Sequence, residues 1–512
     1  MDQKISKVYG ASPYGIHAFL VEVEVDLSSG LPQTSIVGLP DQAIKESKER
    51  LRSAIKNSGF MMPPHRLTIN LAPADLKKEG PAFDLPMALG ILATHGHLRT
   101  DALHEYIFYG ELALDGSLRE TKGALLAAAL AKELGKPLIV PKQNARETSL
   151  EKGVVIFYAG HLKEVIAFLN DADPLPQTIP ENRAAESSKK NPEIDFAEVK
   201  GQRYAKRAIE IAAAGHHNVL FIGPPGAGKT MLSRRIPTIL PPLDHHHMIE
   251  VAKIYSIAGL PQHNFFSMTR PFRSPHHTVS QVGLVGGGSF PRPGEVSLAH
   301  GGILFLDEFP EFHRQAIEAL RSPLEDGKIL ISRAKTNLEF PARFMLVAAM
   351  NPCPCGYLTS RRHHCRCSLG QIQKYLSKIS GPIMDRIDLH IELASVEYQD
   401  LISNRTEETS EQIKARVITA RERQDHRFRQ SHVRTNSEMT PRHIKIYCPL
   451  GQNSKQLLER ALKELGFSAR GYFKMIKIAR TIADLEGVEN IETSHLAEAL
   501  QFRSLDRQYL GS

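Results

Sequence analysis

The sequence predicts an α/β chain in three parts: a front α/β unit, a core built on a parallel sheet, and a helical end. Three observations predict this. Residues 1–168 alternate strand-like runs with amphipathic helices. From 196 onward the continuous apolar runs NVLFI (218–222), GILFL (302–306) and RFMLVAAM (343–350) are separated by helical stretches, as suits strands covered on both faces of a parallel sheet. After about 395 the periodicity is helical and the composition charged.

In the front part, AFLVEVEVDL (18–27) has strand period, with Phe19, Val21, Val23 and Val25 on one face. DQAIKESKERLRSAIKNSG (41–59) reads as a helix. Ile44, Leu51, Ala54 and Ile55 fall at helical spacing, Asp41 can cap its start and Gly59 can end it. Residues 169–195 contain NDADPLPQTIPENRAAESSKKNPEID, rich in Pro, Ser and charge, and read as an exposed linker. The core is expected over 196–395 and the helical end over 396–512, where SARGYFKMIKIARTIADLEG (468–487) is a strongly amphipathic helix.

The 512 residues carry 64 basic and 56 acidic side chains, a net charge of +8 that permits a nucleic-acid partner without requiring one. MDQKISKVYG lacks the apolar run of a signal peptide, and the chain has no uncharged apolar stretch of about 18 residues. The expected compartment is therefore the cytoplasm, with no membrane partner. Four of the five cysteines lie between 353 and 367, unlike a disulfide framework.

GPPGAGKT, from Gly223 through Pro224, Pro225, Gly226, Ala227, Gly228 and Lys229 to Thr230, follows a predicted strand and precedes a predicted helix. In that context the glycines let backbone N–H groups close on phosphates. The lysine reaches the β and γ oxygens, and the threonine hydroxyl sits on Mg²⁺. ILFLDE (303–308) supplies Asp307 for Mg²⁺ and Glu308 as a general base for the attacking water. ATP and Mg²⁺ are the expected ligands.

FAEVKGQ (196–202), the cradle, LFLDE and a strand ending in Asn351 resemble an AAA+ ATPase with a P-loop core. The resemblance implies that Asn351 is sensor 1 and helps place the water. GPIMDRIDLHIEL (381–393) is similar to the segment that delivers an arginine finger to a neighbouring subunit, which makes Arg386 the finger; its alternative is a simple pairing with Asp385 or Asp388. SARGYFK resembles sensor 2, with Arg470 on a helical lid touching the γ-phosphate of its own chain's nucleotide. A finger acting in trans implies a homo-oligomeric ring, expected to be a hexamer. FRSPHHTVSQVGLVGGGSFPRPGEVSLAHGGILFLDEF (272–309) and NPCPCGYL resemble the magnesium-chelatase-like ATPases of the ComM/YifB family. That resemblance implies a DNA motor driving branch migration during natural transformation.

KEGPAFDLPMALGIL (78–92) and GELALDGSLRETKGALLAA (110–128) resemble the Lon protease domain, a ribosomal S5-type α/β fold. That family uses a Ser–Lys dyad. Here Ala82 occupies the serine position and Lys122 falls at or near the lysine position, so the acyl-enzyme route is closed. The front unit is then either a scaffold for ring assembly or a basic DNA-contact surface.

Cys353, Cys355, Cys365 and Cys367 form a C-x-C, nine residues, C-x-C pattern that can supply four thiolates to a structural zinc, with His363 and His364 in reserve. Buried free thiols or a reactive pair are the competing readings. Cys448 reads as an ordinary thiol.

Three loads compete for the motor, of which proteolysis is set aside by the absent serine. GKILISRAKTNLEFP (327–341) has strand-like ends with Arg333 and Lys335 between them, which would grip single-stranded or branched DNA at a pore. LVGGGSFPRPGEV (284–296) would be a second pore loop. RERQDHRFRQSHVR (421–434) is either an outer DNA contact or a solvated surface. The alternative load is a protein partner remodelled as by a chelatase motor. It would predict an aromatic pore loop, and none is evident.

Overall fold

A computed structural model of the chain describes residues 5–177, 194–260, 269–288, 291–333, 336–360, 363–394, 407–465 and 468–503. They fall into two compact units. The first holds 5–177 with 245–260, 332–333 and 336–340; the second holds the described residues of 194–244, 269–331 and 341–503. Core and helical end, separated in the sequence reading, thus share one unit. The reason is a single hydrophobic cluster that buries Phe221, Val347 and Ile391 of the core strands with Ile413, Ile476 and Ile482 of the terminal helices. Among the described residues no helix is long and apolar enough to cross a membrane.

In the first unit, β1 (Ile5–Tyr14) and β2 (His17–Ser28) pair antiparallel from Ile5↔Asp26 to Tyr14↔His17. With β3 (Gln33–Val37), β4 (Arg66–Ala72), β5 (Ile107–Phe108), β6 (Leu138–Pro141) and β7 (Ile156–Ala159) they make a seven-stranded sheet in the order β3-β4-β2-β1-β5-β6-β7. Val21, Val23 and Val25 are buried with Phe19 packed beside them, the face that the alternation predicts. Glu22 and Glu24 point the other way and pair with Lys7. Helix α1 (Gln42–Asn57) begins where Asp41 accepts the Ile44 N–H at 2.9 Å, and it buries Ile44, Leu51, Ala54 and Ile55. The chain leaves it through Ser58 and then Gly59 at φ 84°.

Helix α2 (Asp84–Thr94) is apolar all round and buried from Asp84 to Ala93. Its one carboxylate is the exception to that character. Burial pushes the Asp84 carboxyl up, and Arg50 opposes this with Nε 2.9 Å from Oδ2 and Nη2 3.2 Å from Oδ1. The Leu112 N–H adds a contact at 3.3 Å. This pair ties α1 to α2.

The second unit is organised by β8 (Val219–Ile222), β9 (Phe272–Arg273), β10 (Ile303–Leu306), β11 (Met345–Met350) and β12 (Leu389–Glu392). All pairings are parallel, in the order β9-β10-β11-β8-β12. Both faces are covered. Val219 and Phe221 enter the cluster that includes the terminal helices, whereas Leu220 and Ile222 enter a second cluster with Leu284, Phe309 and Ile383. Alternate residues of one strand thus feed opposite cores, which is why the run carries no polar position.

Arg50→Ala would leave Asp84 buried and without its cation. Breaking such a pair should cost the first unit about 3–5 kcal/mol in denaturant-induced unfolding; a loss below about 1 kcal/mol would show that the pair does not hold α1 on α2.

Candidate active site

The parallel register brings three strand ends to one edge of the sheet. Ile222 lies opposite Met350 and Leu306 opposite Ala348, so Gly223, Asp307 and Asn351 emerge side by side. The cradle leaves β8 at Gly223, whose N–H reaches Met350 O at 3.2 Å. A Cβ at Gly223 would stand 2.6 Å from Leu393 O, so the close approach there requires glycine. Gly226 and Gly228 have φ of 77° and 89°. Helix α3 (Lys229–Ile239) then starts with its first N–H groups turned to the cradle.

Lys229 Nζ donates to Gly223 O at 2.6 Å, Pro224 O at 3.0 Å and Asn351 Oδ1 at 3.0 Å. Burial lowers its pKa, against the pull of Asp307. The Thr230 hydroxyl donates to Asp307 Oδ2 at 2.7 Å. A hydroxyl and a carboxylate in contact at the mouth of a phosphate cradle are a fitting donor pair for Mg²⁺. The next residue, Glu308, has φ 51°, an uncommon left-handed conformation for glutamate, and its carboxylate lies 3.3 Å from His277 Nδ1. His277 belongs to the PHHT stretch after β9, which sequence reasoning did not single out. Glu308 thus combines a left-handed backbone with an imidazole beside its carboxylate.

Arg386 and Arg470 are placed together, away from these groups. Arg386 Nη2 lies 2.6 Å from Glu325 Oε1 and its Nη1 donates to Pro382 O at 2.7 Å. Arg470 Nη2 lies 3.1 Å from the same Glu325 oxygen. Glu325 sits on α4 (Arg321–Asp326). Arg470 was expected beside its own chain's γ-phosphate; instead it joins Arg386 at a cavity of about 530 Å³, also lined by Arg343, Lys474 and Lys477. Nor is Arg386 taken by Asp388. Burial alone would raise the Asp388 carboxyl, but Lys474 at 2.7 Å and His217 hold it far below the usual range.

The cysteines converge. Cys353 is buried, and its Sγ lies 3.4 Å from Cys355 Sγ and 3.7 Å from Cys365 Sγ; Cys355 and Cys365 are 3.6 Å apart. The Cys367 ligand atom completes a group lying within 4.8 Å throughout. Tetrahedral zinc at a Zn–S distance of about 2.3 Å sets sulfur–sulfur edges of about 3.8 Å, so the cluster fits such an ion. His363, one of the reserve ligands, instead lays its ring against Tyr357 at 4.8 Å. Cys448 is a buried free thiol.

Models of magnesium chelatase subunit ChlI match residues 195–401 and, for its C-terminal part, 407–503; a further model of subunit ChlI of Mg-chelatase matches 23–144. Over 505 residues the chain is 46% identical to Competence protein ComM of Haemophilus influenzae, covering 98% of this chain and 97% of that protein. It is 43% identical over 505 residues to YifB of Escherichia coli, covering 98% of both. The chain belongs to the ComM/YifB family. Its ATPase region, which holds the cradle, is of the magnesium-chelatase-like AAA+ type. The chain is also similar to Lon protease 2 of Bacillus subtilis, 26% identical over 338 residues, 56% of this chain and 58% of the protease. Ala82 is buried, with its carbonyl accepting the Gly110 N–H at 2.9 Å, and the Lys122 side chain runs across Gly259, where an added Cβ would stand 2.3 Å from Lys122 Cε.

Of the candidate DNA contacts, Lys335 lies outside the described residues. Arg333 ends the first strand of the hairpin Lys328–Arg333 and Thr336–Pro341. The glycine-rich stretch forms its own short ladder, Gly286↔Pro293 and Gly287↔Arg292. The arginine run 421–434 is divided: Arg429 and Arg434 are exposed, whereas three others are engaged within the unit. Arg421 donates to Ala213 O at 2.9 Å, Arg423 binds the Asp484 carbonyl, and Arg427 pairs with the Asp484 carboxylate at 2.5 Å. These arginines fasten α6 (Ser410–Arg427) to the sheet-covering helices.

Because Arg386 and Arg470 share one acceptor, removing them should not be additive. A double-mutant cycle on the second unit's stability should give a coupling of about 0.5 kcal/mol or more; a coupling of zero would contradict the shared contact.

Proposed function

We propose that this chain is a ring-forming, ATP-driven DNA motor that promotes branch migration of recombination intermediates, working in the cytoplasm as a homo-oligomer, in the simplest case a hexamer. The observation that carries the reading is likeness over nearly the full length to a competence protein. Competence is the capacity to take up DNA, so DNA is the natural load of a motor of this family. Arg333 and Lys335, which lie in sequence between β10 and β11, are the candidate groups for the DNA backbone.

In this proposal Gly223 to Thr230 bind the triphosphate, and Thr230 and Asp307 hold Mg²⁺. The ion supplies charge neutralisation on the β and γ oxygens. Glu308 takes the proton of the attacking water and Asn351 orients that water. Arg386 comes from the neighbouring subunit. Since Arg470 stands with Arg386 on Glu325, we assign it to the same neighbour. A guanidinium of this kind neutralises charge growing on the γ-phosphoryl and leaves again on product release. The four cysteines hold a structural zinc. With all four positions filled by thiolates, that ion has no open site for catalysis.

A second reading, a motor that remodels a protein partner, is favoured by the fact that all three matching models describe a magnesium chelatase subunit. A synthetic mobile DNA junction separates the two. The wild-type chain should convert it in an ATP-dependent reaction and show DNA-stimulated hydrolysis. Lys229→Ala should do neither, while Glu308→Gln should bind ATP and retain it unhydrolysed. ATPase indifferent to DNA, with no junction movement, would refute the DNA motor and favour a protein load.

A further inference from the structure

The cysteine cluster is joined to the nucleotide site at both of its ends. Cys353 follows Asn351 by two residues, and Asn351 is the partner of Lys229 at 3.0 Å. At the other end, Cys367 immediately precedes Ser368, the cap of α5 (Leu369–Leu376), where the Ser368 hydroxyl and the Gln371 side chain close a capping box. That helix carries the buried Tyr375, whose phenol meets the backbone of Asn351. One group of four sulfurs therefore pins the exit of β11 and the entry of the helix that backs it.

The loop between also presses on the cradle itself. Gly356 has φ 82°, its N–H donates to Cys353 O at 2.9 Å, and a Cβ on it would lie 2.7 Å from Pro225 Cδ and 3.7 Å from Asn351 Cγ. The backbone of the cysteine loop thus lies flat on the second proline of GPPGAGKT. Little else holds it there. Among the described residues from 352 to 367 only Pro352, Cys353 and Gly356 are buried, and none of them is in a helix or strand. A loop with so few apolar contacts cannot offset its own ordering entropy by burial, and a metal tie is the usual substitute for a core at such a place.

We propose that the metal-tied cysteine loop is the backing plate of the ATP site: a thiolate-bound divalent cation of the zinc class, which touches neither nucleotide nor water, sets ATP affinity by holding Gly356 against Pro225 and Asn351 against Lys229. This rests on the reading that the four thiols bind zinc, and it adds a consequence for a site with no metal–nucleotide contact. When the tie is lost, the cradle keeps its sequence and its helix but loses the surface against which Pro225 and Asn351 are set. Nucleotide binding then weakens before the sheet unfolds.

The test uses the full-length chain with zinc content, circular dichroism and binding of a fluorescent ATP analogue read on each sample. The purified chain should hold one zinc, released by a thiol-reactive mercurial and restored by added zinc after the mercurial is removed with excess thiol. The stripped chain should bind the analogue at least tenfold more weakly with its helical signal intact, and zinc should bring the affinity back. Gly356→Val provides an arm that leaves the thiols alone: it should keep its zinc and still lose at least tenfold in affinity. No zinc in the purified chain and no uptake on addition would overturn both the zinc reading and this inference. Zinc that is bound, yet can be removed without change in affinity, would overturn the inference alone. Should stripping unfold the chain, Gly356→Val decides: zinc kept and affinity unchanged would overturn the coupling, and zinc kept with weakened binding would support it.

Discussion

The ATPase unit depends on one constraint, the parallel register of β10, β11 and β8. With Leu306 opposite Ala348 and Met350 opposite Ile222, three strands finish at one edge within a residue or two of each other. Parallel strands end in the same direction, so whatever follows them is gathered at one place. Here that is a glycine-rich turn opening a helix, an Asp–Glu pair and an asparagine. A shift of one residue in any strand would rotate its side chains to the opposite core and carry its terminal residue out of reach. The near-continuous apolar character of these strands locks that register, because both faces are already filled.

The helical end is attached through charge as well as through apolar packing. Asp388, at the start of β12, accepts the Asn218 N–H at 2.9 Å and faces Lys474 of α7 (Ala469–Glu486). On the same helix Asp484 meets Arg427 and Arg480. Ion pairs this buried are poor sources of net stability but demanding about geometry. They fix the angle at which α7 leaves the sheet, and with it the position of Arg470 on that helix's first turn. The arginine pair on Glu325 is then a consequence of how the terminal helices are seated.

The sequence made some of this legible and hid the rest for identifiable reasons. Gly223 to Thr230, Asp307 and Asn351 could be read because each sits at the end of an apolar run, and a strand end is a local feature. The face of β2 and the caps of α1 were equally local. Glu325, His277 and the contact of Gly356 with Pro225 could not be read, since each joins segments whose proximity exists only in the folded chain. Within the run 421–434 the sequence could not tell the exposed Arg429 and Arg434 from the arginines that are engaged within the unit. Arg421, Arg423 and Arg427 spend their donors on carbonyls and on the Asp484 carboxylate. The helical end was separated from the core because its amphipathic helices carry no sign of which surface they cover.

The account's central claim is that each ATP site is completed by two arginines from another copy of the chain. Subunit mixing tests it most directly. Lys229→Ala and the double variant Arg386→Ala/Arg470→Ala should each be inactive alone, the first for want of a cradle and the second for want of the guanidiniums. Mixed, they place intact cradles beside intact arginines at some interfaces, and ATP hydrolysis should reappear with a maximum at intermediate ratios. No recovery at any ratio, with co-assembly of the two variants verified, would contradict a site shared between subunits.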